Sequence, residues 1–249
     1  MTTADRWTRA VREQLGLGRL LPLGGPRDGA WIAERAVREV LMDAAGAVAG
    51  VRTEGLRVAP ADPGDAWEPA VPSPPSALPP GPLRVTADFA ARTAEPLPVA
   101  ADRLRSALAA AAHGLGLTVT DVDLRATALL DTEPEPAPEP REPAPEPASD
   151  PGPGPRPRPG TDRDEGDAGR AAGAALAVPG VSRLTATLGR PVDVTELPQE
   201  SALPRRHVRV ELAARADHRA VEVARRVRTA VTDALPDRPS VTVLVTAVD

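Results

Sequence analysis

The chain has no cysteine, no lysine, no asparagine and no tyrosine, and only one isoleucine and one phenylalanine among its 249 residues. Without cysteine, disulfides and thiolate metal sites are excluded, and a reducing compartment fits. With aromatics at 2 %, any core must be built from Ala, Val and Leu. Such cores bury less apolar area per residue and predict small, modestly stable domains. No apolar run approaches the ~20 residues of a membrane span. The start, M-T-T-A-D-R-W, lacks the apolar stretch of a secretory signal. These absences lead to an expectation of a cytoplasmic protein. Because every basic residue is arginine, GC-rich codon usage explains that bias before any function does.

What the chain does have is proline and glycine, 31 and 20 residues, about a fifth of the whole. That is close to the range where disorder sets in, so the packed part falls short of the full length. The net charge of −5 is concentrated in the middle. Residues 1–131 carry −2, residues 132–168 carry −6, and residues 169–249 carry +3. Neither end is basic enough for an electrostatic nucleic-acid footprint.

A repeat organises the rest. Arg84–Leu130 contains R-V-T-A-D-F-A-A-R, a helix-like run from Pro98 to His113, and L-T-V-T-D-V-D-L. Near the C-terminus R-V-E-L-A-A-R, V-E-V-A-R-R-V-R-T-A-V and V-T-V-L-V-T-A-V follow in the same order. Phe89-Ala90-Ala91-Arg92 meets Leu212-Ala213-Ala214-Arg215, 123 residues on. A repeat of this length predicts duplicated small domains.

Taken in order, Asp5–Leu15 predicts a short helix, and the glycine- and proline-rich run L-G-L-G-R-L-L-P-L-G-G-P that follows predicts a connecting turn. That run matches neither a dinucleotide fingerprint nor a P-loop. Asp28 is placed to cap a helix over Trp31–Val48, with Val37, Val40, Leu41 and Ala44 on its apolar face. Val51–Ala59 reads as a strand. Residues 60–82, rich in proline, lack the amides for regular structure, and Trp67 inside them reads as a cover for a nearby apolar patch, with a partner anchor as the sharper alternative. Leu83–Ala91 reads as a strand, Ala101, Leu104, Leu108 and Ala112 as a helix stripe, and Leu117–Leu124 as a strand with a small irregularity. Residues 132–168, full of Glu-Pro and Ala-Pro, predict an extended acidic spacer. Gly169–Val178 then reads as a shortened helix and Ser182–Leu188 as a strand. A strand over His207–Ala214, a helix over Ala220–Leu235 and a strand over Val241–Val248 complete the second copy.

Chemistry is sparse. His113, His207 and His218 are the only histidines, none spaced from another as a metal pair. Asp121 and Asp123 share one strand face, the pattern of a solvated surface. Arg105 and Arg228 stand at the edge of the helix stripe in both copies, as snorkelling side chains or as a duplicated anion contact. Arg205, Arg206, Arg209, Arg215, Arg219, Arg225 and Arg226 make the C-terminal copy locally basic. Catalytic, cofactor-binding and metal residues: none is assigned, and no cofactor is expected.

The order of these elements, with W-I-A-E-R-A-V-R-E-V-L, the later A-G-V, L-R-V-T-A-D-F-A, V-A-A-D-R-L-R-S-A-L and G-L-T-V-T-D-V-D-L, resembles the alkaline-shock/general-stress protein family of Gram-positive bacteria. It looks like a divergent tandem actinomycete form of that family, one sometimes labelled nucleopolyhedrovirus P-ten-like. The 60–82 insertion and the weak first helix of the second copy depart from the pattern. The resemblance implies a non-enzymatic protein of cell-envelope stress and homeostasis, acting through a protein partner that includes the case of a membrane-bound anchor.

The expectation is therefore an α+β chain of two small repeat-related domains, each a short sheet with helices on one face, joined by a disordered Pro/Glu-rich linker. Its bounds are 1–29 for an N-terminal helix and turn, 30–131 for the first domain, 132–168 for the linker and 169–249 for the second domain. The expected function is an envelope-stress adaptor, not an enzyme, without nucleic acid as a partner and with a homo-oligomer left open. The alternative is an Arg-dependent nucleic-acid or anionic-ligand module in the C-terminal domain.

Overall fold

Period-two and period-3.6 patterns carry the chain into an α+β structure with two mixed sheets, described by a computed structural model over residues 16–130, 162–197 and 205–249. The expected helix over Asp5–Leu15 and the body of the acidic spacer lie outside the described residues, as do residues 198–204.

The first sheet begins where a turn was expected. Leu20–Pro22 (β1) is buried throughout and pairs antiparallel with Ala30–Ala33 (β2). The β2 strand corrects the expected start of the first helix: Trp31, Ile32 and Ala33 are extended, and the helix α1 spans Glu34–Gly46. Its N-cap is Ala33, with no side-chain cap. Asp28 is occupied elsewhere. Ala36, Val37, Leu41 and Ala45 form the buried stripe of α1, so the periodicity holds within the shorter span.

The three-stranded sheet follows. Val51–Pro60 (β3) pairs antiparallel with Leu83–Arg92 (β4), with a register shift between Glu54 and Arg57. Gly55 lies inside that shift with φ +60°, a conformation at which a side chain would be strained. Leu97–Leu115 (α2) starts with Pro98 in its first turn and buries Ala100, Leu104, Leu108, Ala112 and Leu115. Gly116 (φ +94°) ends it, its amide donating to the Ala112 and His113 carbonyls. Val119–Leu130 (β5) then returns parallel to β4, with the expected irregularity as register shifts at Leu83/Arg84 and Phe89/Ala90.

Past the spacer, Asp162–Leu176 (α3) begins seven residues before the expected boundary, so the last part of the predicted linker is helical. Val181–Leu184 (β6) and Val192–Leu197 (β7) both pair antiparallel with Arg205–Ala214 (β8), at its two ends. The expected strand over Ser182–Leu188 is thus shorter, and β7 was not anticipated. Ala220–Ala234 (α4) leads to Ser240–Val248 (β9), parallel to β8. The sheet is closed by β2, which pairs parallel with β9 at Ala30/Val243, Trp31/Leu244 and Ile32/Val245. Residues that precede the three-stranded sheet in the chain therefore complete the larger one.

Burial separates the two sheets. In β4 every second residue from Leu83 to Phe89 is buried and those between are partly exposed, the pattern of a strand with one wet face. In β9, six consecutive residues from Val241 to Thr246 are buried, the pattern of a parallel strand covered on both faces. The second cover is the proline-rich 60–82 segment. The Trp31 indole donates to the Leu78 carbonyl (3.0 Å) and the Thr242 hydroxyl to the Pro72 carbonyl (3.0 Å). That segment holds one short 3-10 turn, Pro63–Asp65, and is otherwise irregular. The apolar patch it covers is Trp31 and its neighbours, while Trp67 itself is 44 % exposed.

Candidate functional site

The halves meet through groups that the sequence offered as site candidates. Arg225 makes a bidentate pair with Asp28, Nε to Oδ1 at 2.8 Å and a terminal nitrogen to Oδ2 at 2.9 Å, and also pairs with Glu222. The hydrogen bonds from Arg225 hold Asp28 below the ordinary carboxylate range, ahead of the opposing effect of burial. Arg228 donates to the Arg27 carbonyl, and Arg219 to the His113 carbonyl at the end of α2 (3.1 Å). Gly116 packs on α4 so closely that a β-carbon there would lie 2.2 Å from a Val221 methyl. Two of the arginines read as a basic patch, Arg219 and Arg225, together with Arg228 thus bind β1–β2 and α2 to α4.

A second group lies on the covered face of the first sheet. Glu211 is completely buried; its Oε2 accepts from the Leu188 amide (3.0 Å) and its Oε1 is 3.4 Å from Arg209 Nε. Burial pushes its carboxyl above the ordinary range, despite the Leu188 amide and Arg209. His207, on the same face, shares a 2.9 Å hydrogen bond with Ser240, and burial lowers its pKa, with Arg209 adding to the effect. Opposite shifts in a buried acid and a buried base can mark a reactive site. Here Glu211 caps a loop amide and His207 meets a serine hydroxyl, so each has a structural partner.

Asp167 of α3 is also completely buried, gripped by Arg170 and by Arg206 (2.7 Å), which reaches Asp237 with its other arm. The Arg170 hydrogen bond, with help from Arg206, holds Asp167 low. Arg206 thereby ties α3 to β8, a role no spacing in the sequence announced. His218 pairs with Asp217 (2.8 Å), whose carboxyl falls to about 2 through its hydrogen bonds to Arg215 and then His218. The three histidines have separate neighbours, and among the described residues no group of three or more His, Asp or Glu is placed to hold a metal.

A cleft of about 760 Å³ runs between α1 and the β6–β7 turn, lined by Leu17, Arg35, Glu39, Arg183, Thr185 and Thr246 among others. The Thr185 and Thr246 hydroxyls bond each other at 2.7 Å, and no histidine lines the cleft. A nucleophile–base pair is missing from its lining.

The least covered region is the three-stranded sheet. Its outer face is a lattice of charges: Arg84 lies 3.3 Å from Asp123 and 3.8 Å from Asp121, and Arg52 pairs with Glu54. Asp121 and Asp123 sit on the solvated face, as their spacing implied. Ala126–Leu129 of β5 are all exposed, Leu129 at 60 %. Among the described residues no strand pairs with the outer edge of β5. Arg105 pairs with Asp102 beside that edge and reaches the Val122 carbonyl at 3.5 Å, the limit of a hydrogen bond.

No protein-family model, curated protein or solved structure matches the chain. Among the described residues no helix is long and apolar enough to cross a membrane.

Proposed function

We propose that this chain is a duplicated, non-enzymatic adaptor that works through protein–protein contacts, a divergent tandem relative of the alkaline-shock/general-stress proteins. The observation that carries the duplication is a set of equivalent backbone hydrogen bonds. In the first half Val48 donates to Ala45, Val51 to Val48, Arg92 to Gly50, and Thr93 to Leu130. In the second half Val178 donates to Ala175, Val181 to Val178, Arg215 to Gly180, and Ala216 to Asp249. The numbering offset falls from 130 to 123 to 119 along the chain, as two short deletions would make it. Both halves also carry the register shift at the same place, after Phe89 and after Leu212.

The positions so paired are turns, strand registers and helix stripes, with arginine as the recurring charge at Arg92/Arg215 and Arg105/Arg228. An acid and a hydroxyl recur as well, Asp88 with Glu211 and Thr127 with Thr246, but Glu211 bonds the Leu188 amide and the two threonines bond the Phe89 and Leu212 carbonyls, so they serve the fold. What recurs is a scaffold, which supports an adaptor. Of the arginines that an anionic-ligand module would use, Arg225 is engaged with Asp28 and Arg219 with the His113 carbonyl, and Arg228 beside them holds the Arg27 carbonyl. In this reading the adaptor acts in the cytoplasm, beside the envelope, through a partner that holds it there. Crosslinking in native cells followed by affinity capture should enrich envelope or membrane proteins over a mock capture. Recovery of none would overturn the envelope assignment.

A further inference from the structure

The equivalent strands β5 and β9 differ in one respect: β9 has an added strand on its outer edge and, among the described residues, β5 has none. In the second half the Val243 amide donates to the Gly29 carbonyl, and Ala30-Trp31-Ile32 runs parallel to Val243-Leu244-Val245. Two arginines of α4 secure the incoming segment, Arg228 on the Arg27 carbonyl and Arg225 on Asp28. In the first half the counterparts, by the same offsets, are Leu124-Arg125-Ala126 on the strand and Arg105 and Asp102 on the helix. Arg105 again stands beside the edge, but Arg225 has become Asp102, a carboxylate 74 % exposed.

We infer that the outer edge of β5 is a docking site for an extended segment of a partner protein, which adds in parallel alongside Leu124–Ala126. This inference rests on the duplication proposed above. The molecule supplies the template for its occupant. Strand addition satisfies edge amides and carbonyls of β5 that, among the described residues, no strand pairs, and alternate side chains of the guest give specificity. The guest is an extended apolar strand like Ala30–Ala33, preceded by a backbone carbonyl for Arg105. It carries a basic residue where the chain's own hairpin carries Asp28, because it must meet Asp102. The sign change also excludes the hairpin of a second copy, whose Asp28 would face Asp102. One charge therefore separates a foreign guest from self-assembly through strand exchange.

The test uses the full chain and two synthetic peptides with the sequence of Leu20–Ala33, one native and one carrying Asp28→Arg. Fluorescence anisotropy should show the Asp28→Arg peptide binding more tightly by roughly 5-fold, the scale of exchanging repulsion for attraction in an exposed pair. Amide exchange at Leu124 and Ala126 should be fast without peptide and slowed with it. Asp102→Arg should invert the preference between the peptides. Ala126→Pro, which removes an edge amide and no bond to β4, should abolish binding while leaving the denaturation midpoint nearly unchanged. If Ala126→Pro fails to fold, the Asp102→Arg inversion decides. Slow exchange at Leu124 and Ala126 in the free chain, equal affinities with and without Asp102, or no binding at millimolar peptide would each overturn the inference. Partners captured equally by wild type and Ala126→Pro would sink the edge site and leave the adaptor standing. A wild type that captures no partner would sink the adaptor reading itself.

Discussion

The two sheets share an element order and differ in how far they are covered. In the larger sheet β9 is flanked by β8 and β2 and covered on both faces, so it reads as an unbroken apolar run. In the smaller sheet β5 is an edge, and the outer face beside it carries Arg84, Asp88, Asp121, Asp123 and Arg125. At the positions of Arg84, Thr86 and Asp88 the larger sheet has His207, Arg209 and Glu211, still polar but enclosed. Covering a sheet whose outer face was polar leaves buried charge that must find partners. The Glu211 and His207 contacts are the result. The larger sheet thus has its polar face sealed, and among the described residues the smaller one keeps a face and an edge uncovered.

Removing the cover should give the largest effect. Trp31 is 1 % exposed and joins β9 to the proline-rich segment through Leu78. Trp31→Ala should cost about 3–5 kcal/mol in denaturant unfolding, the usual range for emptying a large aromatic site. Amide exchange should accelerate at Val243, whose acceptor Gly29 is held by the β2 pairing, and much less along β4. Equal acceleration in both sheets would break the distinction between a sealed and an open half.

Gly50 and Gly180, whose carbonyls accept from the Arg92 and Arg215 amides, sharpen it. Both have positive φ, +74° and +95°, so alanine at either is strained. A β-carbon at Gly50 would meet Arg92 side-chain atoms at 3.6 Å, ordinary contact, whereas at Gly180 it would meet Val223 at 2.6 Å and His218 at 2.8 Å. Gly50→Ala should therefore cost about 1 kcal/mol. Gly180→Ala should cost about 2–4 kcal/mol, because strain and overpacking add. Thermal or denaturant midpoints of the two variants measure the difference. Similar losses would mean that the second turn relaxes and that its half is packed no more tightly than the first.

Much of this contrast was legible from local pattern and some was not. The stripes of α2 and α4 and the strands β4 and β8 follow from apolar spacing, because each buries one face against its own neighbours. Trp31-Ile32-Ala33 escaped because they continue the spacing of α1, and nothing local records a strand partner two hundred residues away at Val243–Val245. The turn reading of Leu20–Pro22 failed for the same reason: Gly and Pro around it signal turns, and its burial comes from β2. Val192 and Val194 alternate well enough to have signalled β7. Glu211 looked like one more solvated acid, since enclosure by Leu188 and Arg209 is a tertiary fact. The open edge of β5 was invisible because a sequence shows which strand exists and not what stands beside it.

The smallest expected effect concerns pH and isolates the cost of sealing the polar face. Burial raises the Glu211 carboxyl, Asp193 adds to the rise, and the Leu188 amide, Arg209 and the Thr187 amide oppose it. A raised acid binds its proton more readily in the folded state than in the unfolded chain. Its contribution to stability is therefore complete below the ordinary glutamate range and declines as pH climbs from there through the folded value. Asp28 acts with the opposite sign, since its lowered pKa gives stability above the ordinary aspartate range that is lost as pH falls. Glu211→Gln keeps an oxygen for the Leu188 amide and removes the titration. Denaturant unfolding of wild type and Glu211→Gln between pH 4.5 and pH 7 should show the wild type losing stability relative to the variant as pH rises. The gap should be small, because Arg209 and the two amides offset part of what burial costs. A gap that widens toward low pH would mean the carboxylate is the favoured buried form. The sealed face would then hold its charge at no cost relative to the open one.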